Sequence, residues 1–149
     1  MEISNKKRTS TIRRFFNISM VVLLLGAVLL FVLDVAVWGW VFIGAAVLKI
    51  VVFQFISINY IYYSSEGSKI LIRYYPIIAF FGKEYSSIEF EKSLLYFAKV
   101  KRVGVFSDLY LAIKTSKGIA EYPEFSLMGL NKDEIRRIEQ DLNALLKKS

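Results

Sequence analysis

The stretch that decides the fold is residues 15–58, FFNISMVVLLLGAVLLFVLDVAVWGWVFIGAAVLKIVVFQFISI. It carries only two charged side chains, Asp34 and Lys49, and it is too long and too apolar for the core helix of a soluble domain. As a helix, residues 15–33 would span roughly 28 Å, close to the hydrocarbon thickness of a bilayer. We therefore predict a transmembrane helical hairpin, with helices at about 15–33 and 36–58 and Asp34 in the turn.

Two other interpretations of this stretch are less favourable. A single long helix would bury Asp34 near its middle, which costs roughly 2.5–3.5 kcal/mol on insertion scales. A cleaved signal peptide normally has an apolar region of ~7–15 residues followed by a small-residue cleavage site. The first run here is longer, and no such site precedes the second run.

Positive charge is concentrated ahead of the apolar stretch. Residues 1–14 hold one acidic side chain, Glu2, and five basic ones, whereas the predicted turn holds no basic residue. Because Lys and Arg are retained on the cytoplasmic side, both termini are predicted to be cytoplasmic. The five basic residues are also candidate contacts for lipids or a partner: Lys6, Lys7, Arg8, Arg13 and Arg14. A basic stripe on a folded domain, which would favour nucleic-acid binding, is not evident, and no nucleic-acid partner is predicted.

Lys49 is the one basic residue inside the apolar stretch. An ionisable residue within a membrane span is a functional-site hypothesis by default. Its long apolar stem also allows the ammonium group to snorkel toward the headgroups if the second helix ends near residues 54–58. The alternatives are a contact with a partner helix, which Gln54 could share, and a contact with a lipid phosphate.

Residues 59–149 change to short alternating runs that are typical of strands. Candidate strands lie at residues 57–63, 69–75, 87–91, 94–103, 109–115 and 119–122. Strict alternation in the 94–103 run places Leu95, Phe97, Lys99, Lys101 and Val103 on one face. Residues 77–81 are interpreted as either a short strand or a loop packed on the membrane surface.

The last element is predicted to be an amphipathic helix at about residues 132–147. Asn131 is a favourable N-cap, and Glu134 stands three residues later, as in a capping box. The apolar stripe of this helix consists of Ile135, Ile138, Leu142, Leu145 and Leu146. The predicted fold class is a membrane α+β protein, in which the hairpin precedes a small antiparallel β split barrel or sandwich closed by this helix.

Composition excludes several kinds of chemistry. The chain has neither Cys nor His, which removes thiolate and imidazole nucleophiles, bases and metal ligands. The glycines form no phosphate loop, and the carboxylates are too dispersed to predict a metal site. Glu89 and Glu91 share one face of a strand, but an exposed polar face is the simpler interpretation. We predict no enzymatic activity, no cofactor and no bound metal.

A second group of candidate contact residues consists of Lys99, Lys101 and Arg102. These side chains could meet anionic headgroups, where each cation contributes roughly 1 kcal/mol. Lysines on a strand edge also prevent unwanted pairing with other chains, so both interpretations stay open.

The order of elements resembles the bacterial membrane-anchored pleckstrin-homology-like proteins. The resemblance extends over residues 15–149 and is carried by the hairpin 60–75, the strand 86–91, the hairpin 109–122, the approach Tyr122-Pro123-Glu124-Phe125 and the helix from Asn131. It implies a split-barrel domain with a binding or scaffolding role and no catalysis, located at the bacterial inner membrane. The charge and hydropathy pattern predicts three divisions: a basic segment 1–14, the hairpin 15–58 and a cytoplasmic domain 59–149.

These features predict a non-enzymatic, multi-pass inner-membrane protein that presents its cytoplasmic domain to a protein partner or to a second copy of itself. One alternative is a module that binds anionic membrane lipids. Another is a small accessory subunit of a larger membrane complex.

Overall fold

The computed structural model describes residues 1–56, 58–78, 85–104 and 106–147. The fold is α+β: two long apolar helices lie near the N-terminus, followed by two antiparallel sheets and a C-terminal helix. In chain order the elements are β1 (Glu2–Ser4), α1 (Lys6–Val32), α2 (Ala36–Ile56), β2 (Asn59–Ser64), β3 (Lys69–Pro76), β4 (Ser86–Glu91), a 3₁₀ turn (Lys92–Leu94), β5 (Leu95–Val103), β6 (Phe106–Thr115), β7 (Gly118–Ser126) and α3 (Lys132–Leu146).

Helices α1 and α2 are both long and apolar enough to span a membrane. They pack against each other, with the rings of Phe16 and Phe53 4.7 Å apart. The predicted turn residue Asp34 has a φ of 60°, a left-handed conformation that Asp tolerates better than most residues. The chain therefore reverses direction at Asp34.

Helix α1 begins at Lys6 rather than near residue 15, where the apolar run starts. Lys and Arg are good helix formers, and no Gly or Pro interrupts this part of the chain. Hydroxyl groups in it bond to the preceding turn, as when Thr11 Oγ1 donates to the carbonyl of Lys7 at 3.1 Å. The change from charged to apolar residues therefore does not mark the start of the helix. Helix α2 ends at Ile56, and Ser57 lies outside the described residues.

The N-terminal strand β1 was not predicted. It pairs antiparallel with β2, and Ile3 stands opposite Tyr63 and is buried. Three residues are too few for an alternating pattern to be recognised. The chain therefore starts in the sheet, leaves it to form α1 and α2, and returns to the neighbouring strand.

The strands form two antiparallel meanders, β1-β2-β3-β4 and β5-β6-β7. Helix α3 packs against β5 and closes the core with its apolar stripe. The most completely buried large side chains are Ile61, Tyr63, Ile70, Ile72, Leu109, Leu127, Ile138 and Leu142. The capping box of α3 is present: the Asn131 side chain accepts from the Glu134 N–H at 2.7 Å, and Glu134 accepts from the Asn131 N–H at 2.7 Å.

The predicted face assignment in β5 is wrong for Leu95, which does not share a face with Phe97, Lys99, Lys101 and Val103. Pairing with β6 shifts between Leu95 and Phe97, which is a β-bulge. A bulge adds one residue to one strand and exchanges the two faces after it. Leu95 and Val100 are consequently both buried, whereas Phe97 is 45% exposed.

Residues 77–81 were predicted to form either a short strand or a loop on the membrane surface, and the structure describes only Ile77 and Ile78 of them. Ile77 is buried, and its N–H donates to the Ile58 carbonyl at 3.1 Å. Residues 79–84 lie outside the described residues. Strand β4 then resumes at Ser86, with Ile88 and Phe90 buried as their alternation predicts.

Candidate lipid and partner contacts at the helix–domain junction

Asn5 fixes the point where the chain leaves the first sheet. Its side-chain amide donates to the Asn59 carbonyl at 2.9 Å and accepts from the Ile61 N–H at 2.8 Å. The residue is 3% exposed. A Cβ atom at Gly129 would collide with the Asn5 side chain and the Asn59 carbonyl, so this junction requires glycine there. The start of α1 is therefore held directly on β2 and on the chain that leads into α3.

Arg8 was predicted as a lipid or partner contact, and the structure places it against α3. Its guanidinium donates to the Gly129 carbonyl at 3.0 Å and to Glu134 Oε2 at 3.0 Å. Glu134 is also the capping-box residue, so one carboxylate joins two helices. The spacing of 126 residues between the partners explains why no local pattern revealed the pair.

The other four basic residues of the N-terminal segment lie on α1 and are exposed: Lys6, Lys7, Arg13 and Arg14. Within the described chain, none of these four takes part in an ion pair. They remain candidate contacts for anionic groups outside the chain.

An aromatic cluster lies near Arg13. The Tyr75 ring is 4.6 Å from that of Tyr60 and 4.9 Å from that of Tyr85. Burial is the main cause that raises the pKa of Tyr75, and the positive charge of Arg13 opposes this rise. Arg13 is therefore close to the end of the first sheet that meets the two long helices.

Lys49 contacts the neighbouring helix of its own hairpin. Its ammonium donates to Ser19 Oγ and lies 5.2 Å from the ring centroid of Phe16 and 5.8 Å from that of Phe15. The residue is half-buried. A contact within the hairpin was not among the three alternatives derived from the sequence, because hairpin register is not visible in composition.

The three predicted cations of β5 do not form one cluster. Arg102 Nη2 donates to Glu139 Oε2 of α3 at 2.6 Å. Lys99 and Lys101 are exposed and, two residues apart, share the opposite face of the strand. The alternation of the sequence predicts Arg102 on the face opposite the two lysines, as the register shows, but its partner on α3 is evident only in the tertiary structure.

A small cavity of about 190 Å³ lies between β5 and α3. Its lining residues are Ala98, Lys99, Val100, Leu109, Glu139, Leu142 and Asn143. This volume is below the ~300–1,000 Å³ of ordinary small-molecule sites. The cavity could accept one or two side chains of a partner.

Glu89 shares one strand face with Glu91, but its carboxylate is ion-paired with Lys69. The distance from Lys69 Nζ to Glu89 Oε1 is 2.7 Å. This contact lowers the pKa of Glu89 and raises that of Lys69. Both side chains are more than half exposed, so the pair contributes little to stability. Over the described residues, no group of three or more His, Cys, Asp or Glu side chains is arranged to hold a metal ion.

Tyr63 forms a buried polar link that the sequence did not reveal. Its hydroxyl donates to Asp141 Oδ2 of α3 at 2.7 Å. Burial, and then the hydrogen bond and charge of Asp141, hold the pKa of Tyr63 well above its ordinary value of 10.0. The alternating pattern of β2 places Tyr63 in the core but cannot identify its partner.

The fold and these contacts define the class of protein, which is an α+β chain with two helices long and apolar enough to cross a membrane. The start of the first helix and the end of the second both connect to strands of one β-rich domain. No protein family, curated protein or solved structure matches the chain. The function is therefore inferred from the geometry of this chain.

Proposed function

We propose that the protein is a multi-pass protein of the bacterial inner membrane, in which α1 and α2 hold a pleckstrin-homology-like domain at the cytoplasmic face. This domain binds a protein partner or a second copy of the chain and has no catalytic role. The proposal combines an anchor, a domain and a binding surface in one chain of 149 residues.

The observation that carries the proposal is the pairing of β1 with β2 across the inserted hairpin. Because β1 precedes α1 and β2 follows α2, both junctions lie at one end of the hairpin. The Asp34 turn lies at the other end. If the two helices span a bilayer, the N-terminus and the whole β-rich domain are on the same side of it.

Charge supports the cytoplasmic side for this domain. The five basic residues of the N-terminal segment lie at the domain end of α1, whereas the turn carries Asp34 and no basic residue. Positive charge next to a span favours the cytoplasmic side.

Strand topology supports the pleckstrin-homology-like assignment. Meanders of four and three strands are followed by a C-terminal helix packed on β5. The resemblance implies short strands followed by a capping helix, and this part of the order agrees with it; the resemblance places the two helices ahead of all the strands, whereas β1 precedes α1.

A lipid-binding role for β5 receives less support. Arg102 is paired with Glu139, and within the described chain neither Lys99 nor Lys101 takes part in an ion pair. Two cations near an anionic surface contribute only about 2 kcal/mol, and the membrane anchor would already hold the domain there. We therefore favour a protein contact over lipid sensing for the domain.

The test is to purify the full-length chain from membranes in a mild detergent and to measure composition and molar mass by light scattering. We expect a stoichiometric protein partner or a homo-oligomer. The same measurement on Lys49→Leu, with Lys117→Leu as a control in the β6–β7 turn, separates contacts of the helices from contacts of the domain. A partner retained by Lys49→Leu does not depend on this helix contact, which agrees with binding by the domain, whereas a partner lost only in this variant indicates an accessory subunit. A monomer without a partner, or catalytic turnover by the purified chain, would contradict the proposal.

A further inference from the structure

Lys49 is the only basic residue between Phe15 and Ile56. Between Lys6 and Ile56 the only acidic residue is Asp34. In the described structure, the ion pairs do not include Lys49. An isolated charge in an apolar medium is costly, and such residues normally pair with another group.

The register of the two helices places Asp34 far from Lys49. Phe16 packs on Phe53 near the domain end, and Phe31 packs on Gly39 close to the turn. The ammonium of Lys49 reaches Ser19, Phe15 and Phe16. Fifteen or so residues of helix, roughly 22 Å, therefore separate this ammonium from Asp34.

The Lys49 side chain extends toward the domain end of the hairpin. The Phe16–Phe53 contact places the Lys49 backbone near the level of Met20, whereas its ammonium lies against rings nearer the start of α1. Arg13 and Arg14 precede Phe16 in the chain and lie within about one helical turn of it. These two arginines add positive charge on the domain side of Lys49.

Ser19 positions the lysine. Its hydroxyl donates to the Phe15 carbonyl at 2.6 Å, which leaves the oxygen to accept from the ammonium. An ammonium has three donors, and Ser19 occupies one of them. Phe15 is 71% exposed and Ile18 is 65% exposed, whereas Lys49 and Ser19 are half-buried, so the site borders the outer surface of the hairpin.

We propose that Lys49, positioned by Ser19, binds the phosphate of an anionic phospholipid in the membrane leaflet next to the β-rich domain. Basic pockets between membrane helices on the cytoplasmic side are suited to such headgroups. The acyl chains would lie along the apolar outer surface of the hairpin, and Arg13 and Arg14 strengthen the attraction. This inference rests on the proposed membrane placement but not on the proposed partner of the domain.

The test is a native mass-spectrometry titration of the full-length chain in detergent with phosphatidylglycerol or phosphatidylcholine. We expect the wild type to bind the first phosphatidylglycerol more tightly than the first phosphatidylcholine. Lys49→Gln should bind phosphatidylglycerol about tenfold more weakly, as expected for loss of one charge-assisted hydrogen bond. Ser19→Ala, which keeps the charge, should show a smaller loss. Lys117→Gln removes an equal charge from the β6–β7 turn and should behave as the wild type.

Three results would overturn the proposal. The first is equal phosphatidylglycerol affinity in Lys49→Gln and the wild type. The second is equal affinity of the wild type for the two lipids. The third is displacement of the lipid by inorganic phosphate at comparable concentration, which would indicate a site for the free ion. Extraction of the chain from membranes at alkaline pH would instead contradict the membrane placement itself, so the two failures are distinguishable.

Discussion

At the residue scale, the junction between α1 and the domain depends on a few contacts that join distant parts of the chain. Asn5 bonds to β2, while Arg8 bonds to Gly129 and Glu134 ahead of and within α3. None of these pairs is predictable from spacing, because each joins residues more than 50 positions apart. The individual residue types were visible in the sequence, but their partners were not.

Gly129→Ala tests this junction. The added methyl group would collide with Asn5 and Asn59, and crowding of a packed site typically costs about 1–3 kcal/mol. We expect a lower midpoint of thermal unfolding for the full-length chain in detergent. Gly44→Ala is the matched control, since a Cβ there meets no atom within 4 Å. Equal midpoints of thermal unfolding for the two variants would show that Asn5 and Asn59 can move away from residue 129 without loss of stability, which would contradict a tightly packed junction.

Tyr63→Phe tests the buried link to α3. Loss of a hydrogen bond to a carboxylate is expected to reduce the free energy of unfolding by about 1.5–3 kcal/mol at neutral pH. The folded-state pKa of Tyr63 is raised above the ordinary value of 10.0, so its contribution is complete below pH 10 and is lost as the pH rises further. The wild type should therefore lose its advantage over Tyr63→Phe by up to about 1.4 kcal/mol per pH unit above 10. Denaturant unfolding from pH 7 to 11 measures this, and a difference independent of pH would contradict the assignment.

At the element scale, the sequence predicted the features that depend on local pattern. The two apolar helices, the turn at Asp34 and the capped helix α3 follow from composition, periodicity and capping residues. Strand β1 and the bulge in β5 were missed because three residues carry no period and because a bulge is set by the partner strand. The predicted start of the first helix is late because the apolar run begins at Phe15, whereas the helix itself includes the basic residues from Lys6 onward.

The bulge in β5 makes a prediction that distinguishes it from strict alternation. Val100→Asn places an amide in the core and is expected to cost about 2–3 kcal/mol of unfolding free energy. Phe97→Asn changes a side chain that is 45% exposed and should cost less than about 1 kcal/mol. Strict alternation would place Phe97 on the same face as buried Leu95 and predicts the reverse order. Thermal unfolding of both variants decides between them.

At the scale of the whole molecule, the hairpin is an insertion within a sheet and not an appendage before a domain. Strands β1 and β2 are neighbours, so a movement of α1 relative to α2 would act directly on the first sheet. This arrangement gives a physical route by which a contact on the helices could be transmitted to the domain. It also explains why the domain is expected on one side of the membrane together with the N-terminus.

The most direct test of this account uses the absence of cysteine from the chain. Single variants Lys7→Cys, Val35→Cys and Lys117→Cys report on the start of α1, the turn and the domain, and a membrane-impermeant maleimide is applied to bacterial spheroplasts before and after lysis. The account predicts that Val35→Cys reacts in intact spheroplasts and that Lys7→Cys and Lys117→Cys react only after lysis. Labelling of Lys117→Cys in intact spheroplasts, or labelling of Val35→Cys only after lysis, would contradict the proposed membrane hairpin.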